Sequence, residues 1–107
     1  MINQNCYVVD FSKIENYLEM HQAIQVGLSF PAHYGYTWDA FWDSLRDMIG
    51  QSVYIRIVGF DVLQKKLPKD ADSIWSILKE FKHYRNDAYC DAITIEIVRQ
   101  GNSIILS

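Results

Sequence analysis

The stretch from Phe30 to Leu45 reads Phe-Pro-Ala-His-Tyr-Gly-Tyr-Thr-Trp-Asp-Ala-Phe-Trp-Asp-Ser-Leu and leaves the chain few choices. Pro31 ends whatever helix precedes it and Gly35 offers a position free for positive φ, so the segment opens as a loop. Thr37 then caps a new helix, its hydroxyl able to accept an orphan N–H of the first turn. From there Trp38, Phe41, Trp42, Leu45 and Ile49 fall at helical spacing and form one apolar stripe. Asp39, Asp43 and Asp47 follow one another every fourth residue, a second stripe of one sign. Like charges at that spacing oppose each other by a few tenths of a kcal/mol per pair, and Arg46 answers only part of it. A helix that keeps such repulsion beside an aromatic loop is built to meet something positive.

The remaining chain bounds what that partner is. At 107 residues the whole of 1–107 is expected as a single domain with one modest core. Hydrophobic residues at 50% and charged residues at 21% are those of a soluble globular protein. A formal net charge of −3 argues against nucleic acid as a direct partner, because phosphate binding needs clustered Lys and Arg. The same charge is compatible with a basic protein partner. No apolar run approaches the ~18 residues of a membrane span. Met-Ile-Asn-Gln-Asn at the start lacks the charged and apolar regions of a signal peptide, so a cytoplasmic location is expected. Cys6 and Cys90 do not make a disulfide framework and read as two half-buried thiols.

Along the chain, Cys6–Asp10 reads as a strand. Ser12 and Glu15 have the spacing of a capping box, which predicts a helix over Lys13 to Val26. Its apolar face is Ile14, Tyr17, Leu18, Ala23 and Ile24, with Met20 or His21 at the edge, and Gly27 is the C′ residue. The helix after Thr37 is expected to end near Gly50. Val53–Val58 reads as a strand with both faces largely covered, Arg56 being the exception. Asp61–Leu67 is a short helix stopped by Pro68, and Asp70-Ala-Asp-Ser starts a last helix running to about Tyr84, with Ile74, Ile77, Leu78 and Phe81 inward. Asn86-Asp87-Ala88 is a turn. Ala92–Val98 is the clearest strand, and Ser103–Leu106 folds back after Gly101-Asn102 as an antiparallel strand. The fold class is therefore α/β: three parallel strands with right-handed crossovers, four helices and a terminal hairpin.

Few of these residues point to catalysis. His21, His33 and His83 have no metal-motif spacing, so no metal or cofactor is expected. There is no Cys-x-x-Cys, no His-Glu-x-x-His and no Gly-rich phosphate loop. Asp39 and Asp43 with His33 nearby could do acid–base work as a small hydrolase, but on an open helix face they lack the enclosure that tunes a general acid. Trp38, Phe41 and Leu45 read as core, whereas Trp42 either completes the core or edges a binding face. The helix dipole explains Asp39 nearly as well as a partner does; Asp43, mid-helix, has no such reason. Of Tyr34 and Tyr36, one packs against the helix and the other projects as a candidate interface anchor. His33 is expected to be exposed, and Glu80 is by itself an ordinary surface carboxylate.

The pattern Pro-x-x-Tyr-Gly-x-x-x-Asp-Ala-x-Trp-Asp-x-Leu, from Pro31 to Leu45, resembles the barstar family of bacterial ribonuclease inhibitors. The order of strands and helices matches over most of the chain. The resemblance implies a small parallel sheet with four helices, and a loop and second helix that plug a nuclease active site with carboxylates in place of RNA phosphates. Carried over residue by residue, Tyr34 and Gly35 match the plugging loop. Asp39 and Asp43 match the two helix aspartates, the second being the phosphate mimic. Trp42 matches the helix tryptophan, Ala40 the small residue that admits the partner, and Glu80 a carboxylate that meets the nuclease from the side. Taken together with the acidic stripe and the aromatic loop, the expected contact surface is His33, Tyr34, Gly35, Tyr36, Thr37, Asp39, Ala40, Trp42, Asp43, Asp47 and Glu80.

The chain also departs from the family pattern. His33 replaces a stacking aromatic, Thr37 an Asn, Trp38 a Leu and Ser44 a Cys, so that Cys90 loses its usual neighbour. Residues Tyr84 to Tyr89 are extra and the C-terminus is longer. Several of these changes fall in the implied contact surface and point to a toxin other than the family's best-known nuclease. The expectation is a cytoplasmic immunity protein, not an enzyme, monomeric when free, that binds a basic ribonuclease toxin one to one without nucleic acid or membrane. The alternative is a binding module for another basic toxin or a regulatory protein.

Overall fold

Branched residues alternate along two of the strands, and that alternation decides which side of the sheet is covered. A computed structural model describes residues 5–48, 52–83 and 93–106. Strands β1 (Asn5–Asp10), β2 (Val53–Val58) and β3 (Ile93–Arg99) run parallel, and β4 (Asn102–Ile105) pairs antiparallel with β3, in the order β1-β2-β3-β4. Helices α1 (Tyr17–Gly27) and α2 (Trp38–Arg46) connect β1 to β2, and α3 (Phe60–Lys66) and α4 (Pro68–His83) connect β2 to β3. The register aligns Val9, Ile57 and Ile97 in one row and Tyr7, Ile55 and Ile95 in the next. On this face Val53, Ile55 and Ile57 of β2 and Ile93, Ile95 and Ile97 of β3 are buried. α1 packs on β1, α3 and α4 pack on β3, and α2 leans on α4.

The expectation that both faces of β2 are covered is not met. Right-handed crossovers that step in one direction, β1 to β2 to β3, place their helices on the same side of a sheet. The other side carries the row Val8, Arg56, Glu96 and Ile105, with Val8 and Ile105 more than half exposed. Its polar groups satisfy one another: Arg56 Nε lies 3.3 Å from Glu96 Oε1, and the Tyr54 hydroxyl donates to the same oxygen at 2.8 Å. Cys6 is on this side and exposed rather than half-buried; Cys90 lies outside the described residues. Gln100 and Gly101 both take positive φ, 51° and 80°, the two-residue turn whose twist suits a hairpin.

Several boundaries move, each for a local reason. α1 starts four residues late because the capping box is Asn16–Glu19, not Ser12–Glu15. Asn16 Oδ1 accepts from the Glu19 amide at 2.9 Å, and Glu19 Oε1 accepts from the Glu15 amide at 3.0 Å. Ser12 instead donates its amide to Asp10 Oδ1, in a turn that lets both Phe11 and Ile14 reach the core. The inward face of α1 is Met20, His21 and Ile24, while Leu18 is half exposed. Gly27 has no left-handed role. It is the last residue of α1 where the helix crosses β1, and a Cβ there would lie 2.5 Å from the Val8 carbonyl oxygen. α2 ends at Arg46, short of Gly50, and turns inward at Met48. Pro68 both stops α3 and opens α4, two residues before the expected start, as suits a residue with no N–H to leave unbonded. Ala71, Ile74, Leu78 and Phe81 face the core and Ile77 is half-buried. Ile49, Tyr84, the Asn86–Ala88 turn and Ala92 lie outside the described residues.

Candidate partner-binding surface

The loop between α1 and α2 is held from beneath by its own aromatic residues. After Leu28 the chain reverses at Ser29, φ 56°, and Phe30 packs on Tyr34 and Phe41 at ring separations of 5.2 and 6.3 Å. The Tyr34 amide donates to the Pro31 carbonyl at 2.9 Å, and Gln25 Nε2 donates to the same carbonyl at 2.8 Å. Tyr34 is buried, 7% exposed, with its hydroxyl 2.7 Å from His21 Nδ1. Burial, with the phenols of Tyr17 and Tyr36 alongside, raises the pKa of the Tyr34 hydroxyl well above the ordinary tyrosine range, so it stays protonated. Tyr36 is half-buried and does not project. Its hydroxyl donates to Gln25 Oε1 at 2.8 Å, and its carbonyl accepts from the Tyr17 hydroxyl at 3.2 Å. The positive φ expected at Gly35 falls on Tyr36 instead, at 53°, because both ends of that residue are bonded back to α1.

Thr37 caps α2 as expected, Oγ1 accepting from the Ala40 amide at 3.1 Å. Phe41 and Leu45 are buried; Trp38 and Trp42 are half-buried against the core. Asp39, Asp43 and Asp47 are all exposed. Asp43 Oδ1 lies 2.6 Å from Arg46 Nη2, with side-chain exposures of 65% and 43%, so the acidic stripe is partly neutralised on its own helix.

Loop and helix enclose a cleft of about 420 Å³ whose lining includes His33, Tyr34, Gly35, Ala40, Asp43 and Asp47. Tyr7, Phe30, Ser44 and Met48 are among the further lining residues, which the sequence reading did not place there. Tyr36, Thr37, Asp39 and Trp42 are not among its lining residues. A second groove of about 340 Å³ runs from Trp38 to Asp72, Ser73, Ser76 and Ile77 of α4. Glu80 is exposed one turn further along that helix, seven residues after Ser73 and so on the same side. The geometry therefore offers an apolar-floored cleft rimmed by two carboxylates and an imidazole, with α4 as a flank. Among the described residues no group of three or more His, Cys, Asp or Glu is placed to hold a metal ion. An exposed, ion-paired Asp43 is suited to holding a cation and poorly suited to general acid catalysis.

The residue that sequence reasoning missed is His21. It lies at the centre of the aromatic group rather than at the edge of the helix face, and burial pulls its pKa down from 6.5 to about 4. Its position four residues after Tyr17 and four before Gln25 is the signal that was there to read.

Comparison with known proteins settles the family. The profile described as Barstar (barnase inhibitor) matches residues 4–95, the two crossovers and the cleft included. The chain belongs to the barstar family. It is also similar to a protein of Bacillus subtilis (strain 168) named "Putative ribonuclease inhibitor YrdF", with 24% identity over 82 residues, covering 77% of this chain and 90% of that protein. The four-stranded sheet, three strands parallel and the last antiparallel, with its four helices is thus a barstar-like fold, and ribonuclease inhibition is the role that membership supports.

Proposed function

We propose that this barstar-family chain is a cytoplasmic immunity protein, monomeric when free, that binds one ribonuclease toxin and occludes its active site. The contact surface is His33, Tyr34, Gly35, Tyr36, Thr37, Asp39, Ala40, Trp42, Asp43 and Asp47, flanked by Glu80. The observation that carries this reading is the cleft beside α2. Asp43 on α2 and Asp47 at its C-cap rim it, and the loop wall opposite is propped by buried aromatics. A ribonuclease active site gathers Arg, Lys and His to hold phosphate, and a preset carboxylate competes for those donors at little entropic cost. Tyr34 and Tyr36 act in this reading mainly by shaping the loop, since their hydroxyls are turned to α1.

Arg46 is consistent with this role. An exposed ion pair contributes about 0.2–1 kcal/mol, so a cluster of cations in the partner displaces it readily and inherits a carboxylate already oriented. His33 in the cleft, Trp38 in the α4 groove and Thr37 at the α2 N-cap are the positions of this surface where the family has other residues. The experiment is a titration of the protein into RNA cleavage assays with barnase and with ribonucleases encoded at neighbouring loci. Stoichiometric loss of cleavage supports the reading. Turnover of RNA by the isolated chain, or a complex only with a basic protein that lacks nuclease activity, counts against it.

A further inference from the structure

His21 is the buried polar residue among those described, at 0% exposure, and packing alone does not explain it. Its Nε2 has no hydrogen-bond partner among the described residues, a cost that leucine or phenylalanine would not carry. What the imidazole gains is the loop. Nδ1 meets the Tyr34 hydroxyl at 2.7 Å, and the ring lies 4.6 Å from Tyr17, 5.0 Å from Trp38 and 5.9 Å from Tyr36, stacked on the last at 12°. Tyr17, His21 and Gln25 follow one another every fourth residue and form one stripe of α1. Each holds the loop: Tyr17 through the Tyr36 carbonyl, His21 through the Tyr34 hydroxyl, and Gln25 through both the Pro31 carbonyl and the Tyr36 hydroxyl. Between those bonds Tyr36 is kept at a positive φ that non-glycine residues seldom adopt.

We propose that this stripe of α1 is a template for the 34–37 loop, with His21 as the positioning residue that presents Gly35, Thr37 and the start of α2 at Asp39 to a ribonuclease. Its consequence for binding rests on the proposed function above; the template itself is a property of the free chain. The titratable groups facing His21 are the phenols of Tyr17 on its own helix and of Tyr34 and Tyr36 on the loop, with Asp70 of α4 acting on Tyr17 from beyond. A proton on His21 places a charge in a site walled by aromatic rings, which burial opposes down to about pH 4. The loop therefore loosens as pH falls toward that value.

The test is amide hydrogen exchange on the free chain at pH 7 and pH 4, corrected for intrinsic exchange, for wild type, Tyr34→Phe, His21→Gln and Asp43→Ala. The probes are the Tyr34 amide, bonded to Pro31, and the Ala71 amide, bonded to Leu67 in α4. Tyr34→Phe keeps the ring and removes only the hydroxyl, so it serves if His21→Gln does not fold. The template predicts at least tenfold loss of protection at Tyr34 in both variants, and in wild type at pH 4, with a clearly smaller loss at Ala71. Unchanged protection at Tyr34 in Tyr34→Phe, or equal losses at Tyr34 and Ala71, overturns it. Binding is read separately with barnase as the probe. Tyr34→Phe is expected to weaken it about tenfold, whereas Asp43→Ala weakens it with the loop still protected. Absence of wild-type binding refutes barnase as partner and leaves the exchange result to decide the template.

Discussion

Replacing Asp43 by alanine separates binding from folding in one substitution. In the free chain the carboxylate makes an exposed pair with Arg46, so its removal costs about 0.2–1 kcal/mol. Against that, alanine is the better helix former, and the change relieves repulsion toward Asp39 and Asp47 of about 0.2–0.5 kcal/mol each. These terms nearly cancel, and the variant should unfold within about 0.5 kcal/mol of wild type, a shift of only a few degrees in a domain this size. In the complex the same carboxylate is read as accepting hydrogen bonds from cationic donors, each worth about 1.5–3 kcal/mol. Loss of one or two such bonds weakens inhibition by at least about tenfold, and by more than 100-fold where both are lost. Urea melts and inhibition titrations at low and at 0.5 M salt measure the two quantities side by side. Wild-type inhibition by Asp43→Ala would refute the phosphate-mimic reasoning. So would a loss of inhibition matched by an equal loss of stability.

Other expectations concern the scaffold. The folded chain resists the proton on His21 down to about pH 4 while the unfolded chain takes it near 6.5, so stability is full above 6.5 and falls as pH drops through that window. The gap corresponds to about 3 kcal/mol at most, and urea melts at pH 4 and 7.5 should show a pH dependence that His21→Gln largely removes. Gly27→Ala forces a methyl into the Val8 backbone and should cost about 1–3 kcal/mol, read as a lower melting temperature with the loop amides still protected. Thr37→Ala removes the α2 cap and should cost about 1 kcal/mol in a denaturant melt, an effect that Thr37→Ser restores.

What the sequence disclosed and what it hid follow from how local each signal is. The strands at Val53–Val58 and Ile93–Arg99, the Thr37 cap and the terminal hairpin were legible because alternation, a hydroxyl before an apolar stripe, and a Gly-containing turn act over a few residues. The α1 start was misplaced because Ser12–Glu15 and Asn16–Glu19 carry equivalent capping chemistry. The choice between them is made by Phe11 and Ile14, which must both be buried. The open side of the sheet was read as covered because a near-continuous apolar strand does not reveal on which face its helices lie; the direction of the crossovers does. At the site, the three aspartates were correctly placed on an exposed stripe. Tyr36 and His21 were not, since their roles arise from a helix and a loop meeting in space. A positive φ belongs by habit to glycine, and only the bonds from Tyr17 and Gln25 show why Tyr36 takes it in place of Gly35.

The central claim is that the acidic face of α2 and its loop enter the toxin. Backbone NMR of the chain, free and bound to the ribonuclease it inhibits, locates the contact directly. The account predicts that the amide signals of 33–47, with Glu80, shift or broaden on binding, and that those of Val8, Arg56, Glu96 and Ile105 on the open sheet stay in place. Perturbation confined to that sheet face, with Asp39 and Asp43 unmoved, would contradict it.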